Sequence, residues 1–277
     1  MTYNIDALKD ALVALQNFKK VELKKQHKRF LFPYLCGTYF IYRKIDVLRI
    51  YNIAKKISNS YRDIKYLEVG CGNGDFLSKI REYIPNARGI EKNIDLFYLL
   101  NIPKPEYIDL RDIRWIGDQN KYDIIFIGWM DPGEDFRQIV SKKTDIVITT
   151  LDQGLSLAAE YEEFGFKKIA QWITPSWEDL NTEISNKYYS KLSRKSVQNL
   201  SSMRGAHNLF YIYSKNNEKS EDIRRTLEKI IHHEESVNER YGFEDILDDC
   251  GFNYMQILHN TECKIHKTLW KVDIFNE

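Results

Sequence analysis

The chain has 277 residues, carries 41 Lys and Arg against 40 Asp and Glu for a net charge of +1, and is 43% hydrophobic and 13% aromatic. That length can bury a substantial core and fits one large domain with additions, or two small ones. No stretch has the uninterrupted apolar length of a membrane span, and the N-terminus lacks the apolar core and cleavage site of a signal peptide. Four scattered cysteines (Cys36, Cys71, Cys250, Cys263) argue against a disulfide framework. A cytoplasmic protein without membrane contact is expected.

Charge is unevenly spread: residues 1–65 hold 14 Lys and Arg against 5 Asp and Glu, a balance of +9, which leaves −8 for the remainder. Ile5, Leu8, Leu12, Leu15 and Phe18 recur at the helical period, and the basic run from Lys19 to Arg29 follows them. Such a run suits a phosphate backbone or a solvated helix face; the second use is commoner, so nucleic acid is not the favoured partner. Pro33 breaks this helix. Thr38 to Arg43 is a short aromatic segment, and from Asp46 to Ile57 the residues Val47, Ile50, Tyr51, Ala54 and Ile57 line one face of a second helix.

Residues 66 to 76, Tyr-Leu-Glu-Val-Gly-Cys-Gly-Asn-Gly-Asp-Phe, form an apolar strand, a turn with alternating glycines and the start of a helix. Glycine has no Cβ and tolerates positive φ, so such a turn admits close approach of a ligand. The spacing differs from the G-x-G-x-x-G of a dinucleotide site. A second strand over 87–91 ends in Glu91, about twenty residues past the turn, where nucleotide-binding αβ folds carry the acid that accepts from a ribose diol. A third, roughly 106–109, runs into Asp109-Leu110-Arg111-Asp112-Ile113; Tyr122 to Ile127 and Asp145 to Thr149 read as the fourth and fifth. The competing reading is that Glu91, Asp109 and Asp112 cap helices.

The run Glu-x-Gly-x-Gly-x-Gly, with acids in this order, resembles the class I S-adenosylmethionine (SAM) dependent methyltransferases over residues 66 to about 150, and more loosely to about 215. The resemblance implies an α/β fold with a seven-stranded Rossmann-like methyltransferase sheet, SAM as cofactor and no metal. It implies that Glu68, Gly70, Cys71, Gly72, Asn73 and Gly74 cradle the amino-acid end and sugar of SAM, and that Glu91 and Lys92 meet the ribose. It implies that Asp109 or Asp112 accepts from the adenine amino group, that a following backbone N–H such as that of Leu110 reads the ring, and that Gly128 borders the cleft. Glu91 is expected to face an open cleft with few protein partners. Arg43 or Tyr39, from a helical lid, is in reach of the SAM carboxylate.

The loop from Gly128 to Phe136 offers Trp129 and Asp131 as acceptor contacts, then Glu134. Asp131-Pro132 departs from the Asn/Asp-Pro-Pro-aromatic motif of amino methyltransferases, since Gly133-Glu134 follow, and a Pro-Gly turn alone accounts for it. Downstream, Leu155 to Phe164 reads as a helix closed by Gly165, Phe166 to Ile173 as a sixth strand and Leu209 to Tyr213 as a seventh. These limits divide the chain into a helical extension (1–60), a SAM-binding core (61–215) with a cap insertion (174–207), and an appendage (216–277). The appendage opens with a charged helix from Glu218 to about Asn238. Strands over 254–260 and 264–275 then make it a small α+β unit or an edge extension of the main sheet. Cys250, His259, Cys263 and His266 match no common zinc spacing. Function is therefore expected to be methyl transfer to an unassigned small molecule, RNA or protein. The alternatives are a non-catalytic SAM-binding or nucleic-acid-binding module on this fold, and, less favoured, aminopropyl transfer.

Overall fold

The computed structural model describes residues 23–24, 26–31, 40–58, 63–93, 97, 103–128, 130, 133–152, 160–191, 208–253 and 268–276. Short, nearly continuous apolar runs supply its inner strands, as a sheet covered on both faces requires. These are β1 (Tyr66–Val69), β2 (Arg88–Glu91), β3 (Ile108–Leu110), β4 (Ile124–Ile127) and β5 (Ile146–Asp152). They pair in parallel, with Glu68 of β1 level with Gly89 of β2 and Phe126 of β4. β7 (Asn208–Ser214) enters antiparallel between β5 and β6 (Lys167–Thr174), giving the order β3-β2-β1-β4-β5-β7-β6-β8. This is the expected Rossmann-like sheet with one addition. β8 (Asp273–Ile274) pairs antiparallel with β6, so the tail extends the sheet edge. The order reverses at β1, whose neighbours are β2 and β4, and a ligand crevice in such folds opens at that switch point, beyond the carboxyl ends of the strands.

Helices cover the sheet: α1 (Lys28–Leu31), α2 (Lys44–Ile57), α3 (Asp75–Arg81), α4 (Arg137–Ser141), α5 (Trp177–Tyr188), α6 (Asn217–His233) and α7 (Glu244–Asp249). Alternating strand residues feed two cores, as the two-residue period of a strand requires. One core joins Ile50, Ile53, Leu77, Phe126, Trp172, Phe210 and Leu227; the other joins Leu67, Val69, Ile125, Val147, Tyr161 and Tyr213. Between β5 and β6 the described part is a 3₁₀ turn, Glu162–Phe164, closed by Gly165 at φ 82°. The expected N-terminal helix, residues 19–22 and 25 of the basic run, residues 155–159, residues 192–207 of the insertion and the first tail strand lie outside the described residues. So do His259, Cys263 and His266. Among the described residues no helix is long and apolar enough to cross a membrane.

The two ends of the chain meet at a buried arginine. Arg49 of α2 donates from Nε and Nη2 to the two carboxylate oxygens of Glu234 (2.6 and 2.8 Å), from Nη1 to Asp46 (3.3 Å) and from Nη2 to the Trp270 carbonyl (2.9 Å). Its guanidinium also lies 5.1 Å from the Trp172 ring centroid. Burial, partly offset by Arg49 and the Arg43 backbone N–H, lifts the Asp46 carboxyl to about 6. Beside it, Arg43 donates to Glu244 (2.9 Å) and stacks over Trp270.

Removing one member of a buried ion cluster leaves its partners charged and unpaired, which costs about 3–5 kcal/mol. Arg49→Leu is expected to lower the unfolding free energy by about that amount, read from the midpoint and slope of a urea titration. A loss below about 1 kcal/mol would show that the ends of the chain are joined by apolar packing alone.

Candidate functional site

At the carboxyl end of β1 the three alternating glycines all adopt left-handed backbone: Gly70 at φ 67°, Gly72 at 56° and Gly74 at 82°. Residues with a Cβ pay roughly 1–2 kcal/mol each there. At Gly74 a Cβ would also stand 2.6 Å from Ile108 Cδ1. The loop is fastened to β2, since the N–H groups of Gly70 and Cys71 both donate to the Ile90 carbonyl (2.9 and 3.1 Å). Asn73 Oδ1 accepts from the Asp75 N–H (3.2 Å). Cys71 is buried against Gly89, where a Cβ would lie 2.7 Å from its Sγ, and burial pushes the thiol pKa up, away from the reactive thiolate.

Glu91 ends β2 beneath this loop. Its Oε2 accepts from the Gly72 N–H and its Oε1 from the Asn93 N–H, each at 2.9 Å. The expectation of few partners is thus corrected: the carboxylate is a strut of the loop. Each oxygen retains a further lone pair, because a carboxylate offers about four acceptor sites. Glu68, in the middle of β1, is buried, and its Oε2 has no hydrogen-bond partner. Burial, and secondarily Asp75, hold its carboxyl well above the ordinary 4.5, which favours the protonated form.

The acids after β3 differ from one another. Asp109 pairs with Arg88 across the sheet edge at 2.8 Å, with both side chains half exposed, while the Leu110 side chain is 38% exposed. Asp112 caps the 3₁₀ turn Ile113–Trp115 by accepting from the Arg114 N–H (2.8 Å) and also accepts from Arg114 Nη1 (3.0 Å). The capping role that competes with a ligand role for this acid is thus present in the fold. Lys92 donates to Glu134 (3.1 Å), which is also paired with Arg114. Glu134 is thereby engaged with cations rather than free, and these two hydrogen bonds hold its carboxyl below the usual range.

At the carboxyl end of β4, Gly128 leaves room for the Phe40 ring, which a Cβ would meet at 3.3 Å. The Thr150 hydroxyl of β5 donates to the Gly128 carbonyl. Trp129 and Asp131, the expected acceptor contacts, lie outside the described residues, as does Tyr39. Arg43 donates from Nε to Glu244 and lies over Trp270, while its buried Nη1 has no hydrogen-bond partner among the described residues. A residue the sequence did not single out takes the neighbouring place: Tyr42 donates from its hydroxyl to Asp75 at 2.8 Å, tying the approach to α2 onto the glycine turn. Its signal was only the aromatic character of the segment before α2.

Comparison of the sequence with protein-family models and with curated proteins gives no match. Solved structures do resemble the fold. One is phosphoethanolamine N-methyltransferase 2 of Haemonchus contortus, with S-adenosylhomocysteine bound (TM-score 0.42, 13% identity, covering 70% of this chain and 58% of that one). Another is the magnesium protoporphyrin IX methyltransferase of Synechocystis PCC 6803 with bound SAM (0.38, 9%, 71% and 86%). A third is the precorrin-6y C5,15-methyltransferase of Geobacter metallireducens (0.36, 16%, 60% and 86%). At such identities and TM-scores these likenesses say nothing about acceptor or activity, and the functional reading rests on the site itself.

The raised pKa of Glu68 has a checkable consequence. An acid whose folded pKa is raised contributes stability that is fully present below its unfolded value and is lost as pH rises through the folded one. Between pH 5 and pH 8 the protein should therefore lose melting temperature, and Glu68→Gln, which keeps the shape without the ionisation, should remove part of that loss. Melting curves across this range check it; identical slopes for the two proteins would mean that Glu68 ionises freely.

Proposed function

We propose that this chain is a SAM-dependent methyltransferase whose cofactor occupies the crevice beyond the carboxyl ends of β1, β2 and β3. One observation carries the proposal: three consecutive alternate glycines in left-handed backbone at the switch point of the sheet, braced from below by the carboxylate that ends β2. The left-handed backbone at these three points disfavours any residue with a Cβ, and the spacing of the glycines does not suit a pyrophosphate. The buried, partnerless Glu68 Oε2 beneath it supports a site that awaits a polar ligand group.

In this reading the glycine turn lies along the amino-acid end and sugar of SAM. Glu91 keeps its two backbone donors and uses its remaining lone pairs for the ribose diol. Asp112 is better suited than Asp109 to accept from the adenine amino group, because Asp109 is spent on Arg88 at the sheet edge. Bound SAM supplies a methyl group already activated for in-line displacement, so the protein's task is orientation and exclusion of water. The acceptor would approach past Gly128 and Phe40, with Trp129 and Asp131 as its proposed contacts. Its chemical class stays unassigned. Incubation with labelled SAM and cell extract, fractionated into RNA, protein and small molecules, identifies the class; cofactor binding without label transfer to any fraction would indicate a binding module.

Glu91→Ala tests the cofactor site directly. Losing one charge-assisted hydrogen bond of about 1.5–3 kcal/mol should weaken S-adenosylhomocysteine binding about ten- to hundredfold. Because the Gly72 and Asn93 N–H groups lose their acceptor, the ligand-free protein should also lose about 1–3 kcal/mol. Calorimetric titration and unfolding midpoints measure the two effects. Stability loss with unchanged affinity, or thermal stabilisation of the parent by NAD(H) but not by S-adenosylhomocysteine, would remove the proposed site.

A further inference from the structure

Four charged side chains run in a chain across the mouth of the crevice. Asp112 holds Arg114 through Nη1, Arg114 reaches Glu134 through Nη2, and Glu134 accepts from Lys92, the residue after Glu91. The sheet order makes this contact unusual. Glu134 belongs to the connection between β4 and α4, yet its partners follow β2 and β3, which lie on the far side of β1. Glu134 therefore links across the strand end that carries the glycine turn. Arg114 and Lys92 are each more than two-fifths exposed, and exposed ion pairs contribute little to stability. The arrangement calls for another explanation than holding the fold together.

The geometry of Arg114 suggests one. A guanidinium presents parallel N–H pairs that match both oxygens of a carboxylate. Here the fork is divided: Nη1 meets Asp112 Oδ2, while Nη2 is drawn away to Glu134. Asp112 Oδ1 takes the Arg114 backbone N–H at 2.8 Å and retains an acceptor site. Without the Glu134 carboxylate, Nη2 is free to turn onto Asp112 as well and take the acceptor sites that its bonds to the Arg114 N–H and Nη1 leave open.

We infer that Glu134 is a positioning residue for base specificity: by engaging Arg114 Nη2 it keeps Asp112 available to accept from a purine 6-amino group. This rests on the cofactor reading above and goes beyond it, since it names the residue that sets the preference for adenine over a 6-oxo purine. A 6-oxo base turns a carbonyl towards the same carboxylate, acceptor against acceptor. A 6-amino base donates to it.

The test compares S-adenosylhomocysteine with S-inosylhomocysteine, which differ at that position, by calorimetric titration of the parent, Glu134→Gln, Asp112→Asn and the double variant Glu134→Gln/Arg114→Gln. Melting curves establish that each variant is folded. The parent should prefer the adenosyl ligand by at least about tenfold, the worth of one hydrogen bond to a charged group. Asp112→Asn and Glu134→Gln should each erase most of that preference, and removing Arg114 in the Glu134→Gln background should restore it, because Asp112 is then unoccupied. A merely structural role for Glu134 would weaken both ligands alike. Unchanged discrimination in Glu134→Gln, with discrimination lost in Asp112→Asn, would overturn this inference while leaving the cofactor reading intact. A parent that binds neither ligand, or an Asp112→Asn that discriminates like the parent, would overturn the placement of the base and this inference with it.

Discussion

The guanidinium of Arg49 sets the frame on which the rest of this fold depends. It is completely buried, satisfied by Glu234, Asp46 and the Trp270 carbonyl, and seated over Trp172 of β6. A buried cation tolerates little displacement, because each partner left behind is itself a buried charge or carbonyl. Through this one side chain, α2, the end of α6 and the segment around Trp270 are held to the same face of the sheet. That face also carries α3, which follows the glycine turn, and Tyr42 joins the two by its bond to Asp75. α2 and the elements around Glu234 and Trp270 are thus fastened on the face of the sheet that carries α3.

Within the crevice, buried carboxyl groups are used in opposite ways. Glu91 stays at the margin, where two backbone N–H groups compensate its charge and shape the loop above it. Glu68 Oε2 has no such donor, and burial pushes its carboxyl pKa up. Asp112 and Glu134 are more exposed and are set by arginine and lysine partners instead. The elements around the glycine turn therefore hold a buried acid within β1, a braced carboxylate at the end of β2 and ion-paired carboxylates beyond β3 and β4.

Much of this was legible along the chain. The strands β1 to β7 fall within a few residues of where the apolar runs place them, since periodicity and turn residues are local signals. Gly70, Gly72 and Gly74 were legible for the same reason: a backbone that must be left-handed three times in five residues leaves glycine at each point. Glu91 was legible by its distance from that turn. What it touches was not, because the Gly72 and Asn93 amides turn towards it only once β2 lies beside β1.

The sequence by itself therefore determined the parallel sheet, the glycine turn and the acids that follow it, each a matter of neighbours in the chain. The tertiary structure decided the rest. Arg43, open to a cofactor contact by position, is claimed by Glu244, 201 residues away, and Arg49 by Glu234 at a separation of 185. Glu134 reads as a further acceptor contact in its loop until the sheet order carries it to Arg114 and Lys92. The tail strand β8 acquires its partner only when β6 has become an edge. Which cation meets which carboxylate depends on distances in space that loop length does not encode, because closing a longer loop costs only slightly more than closing a shorter one.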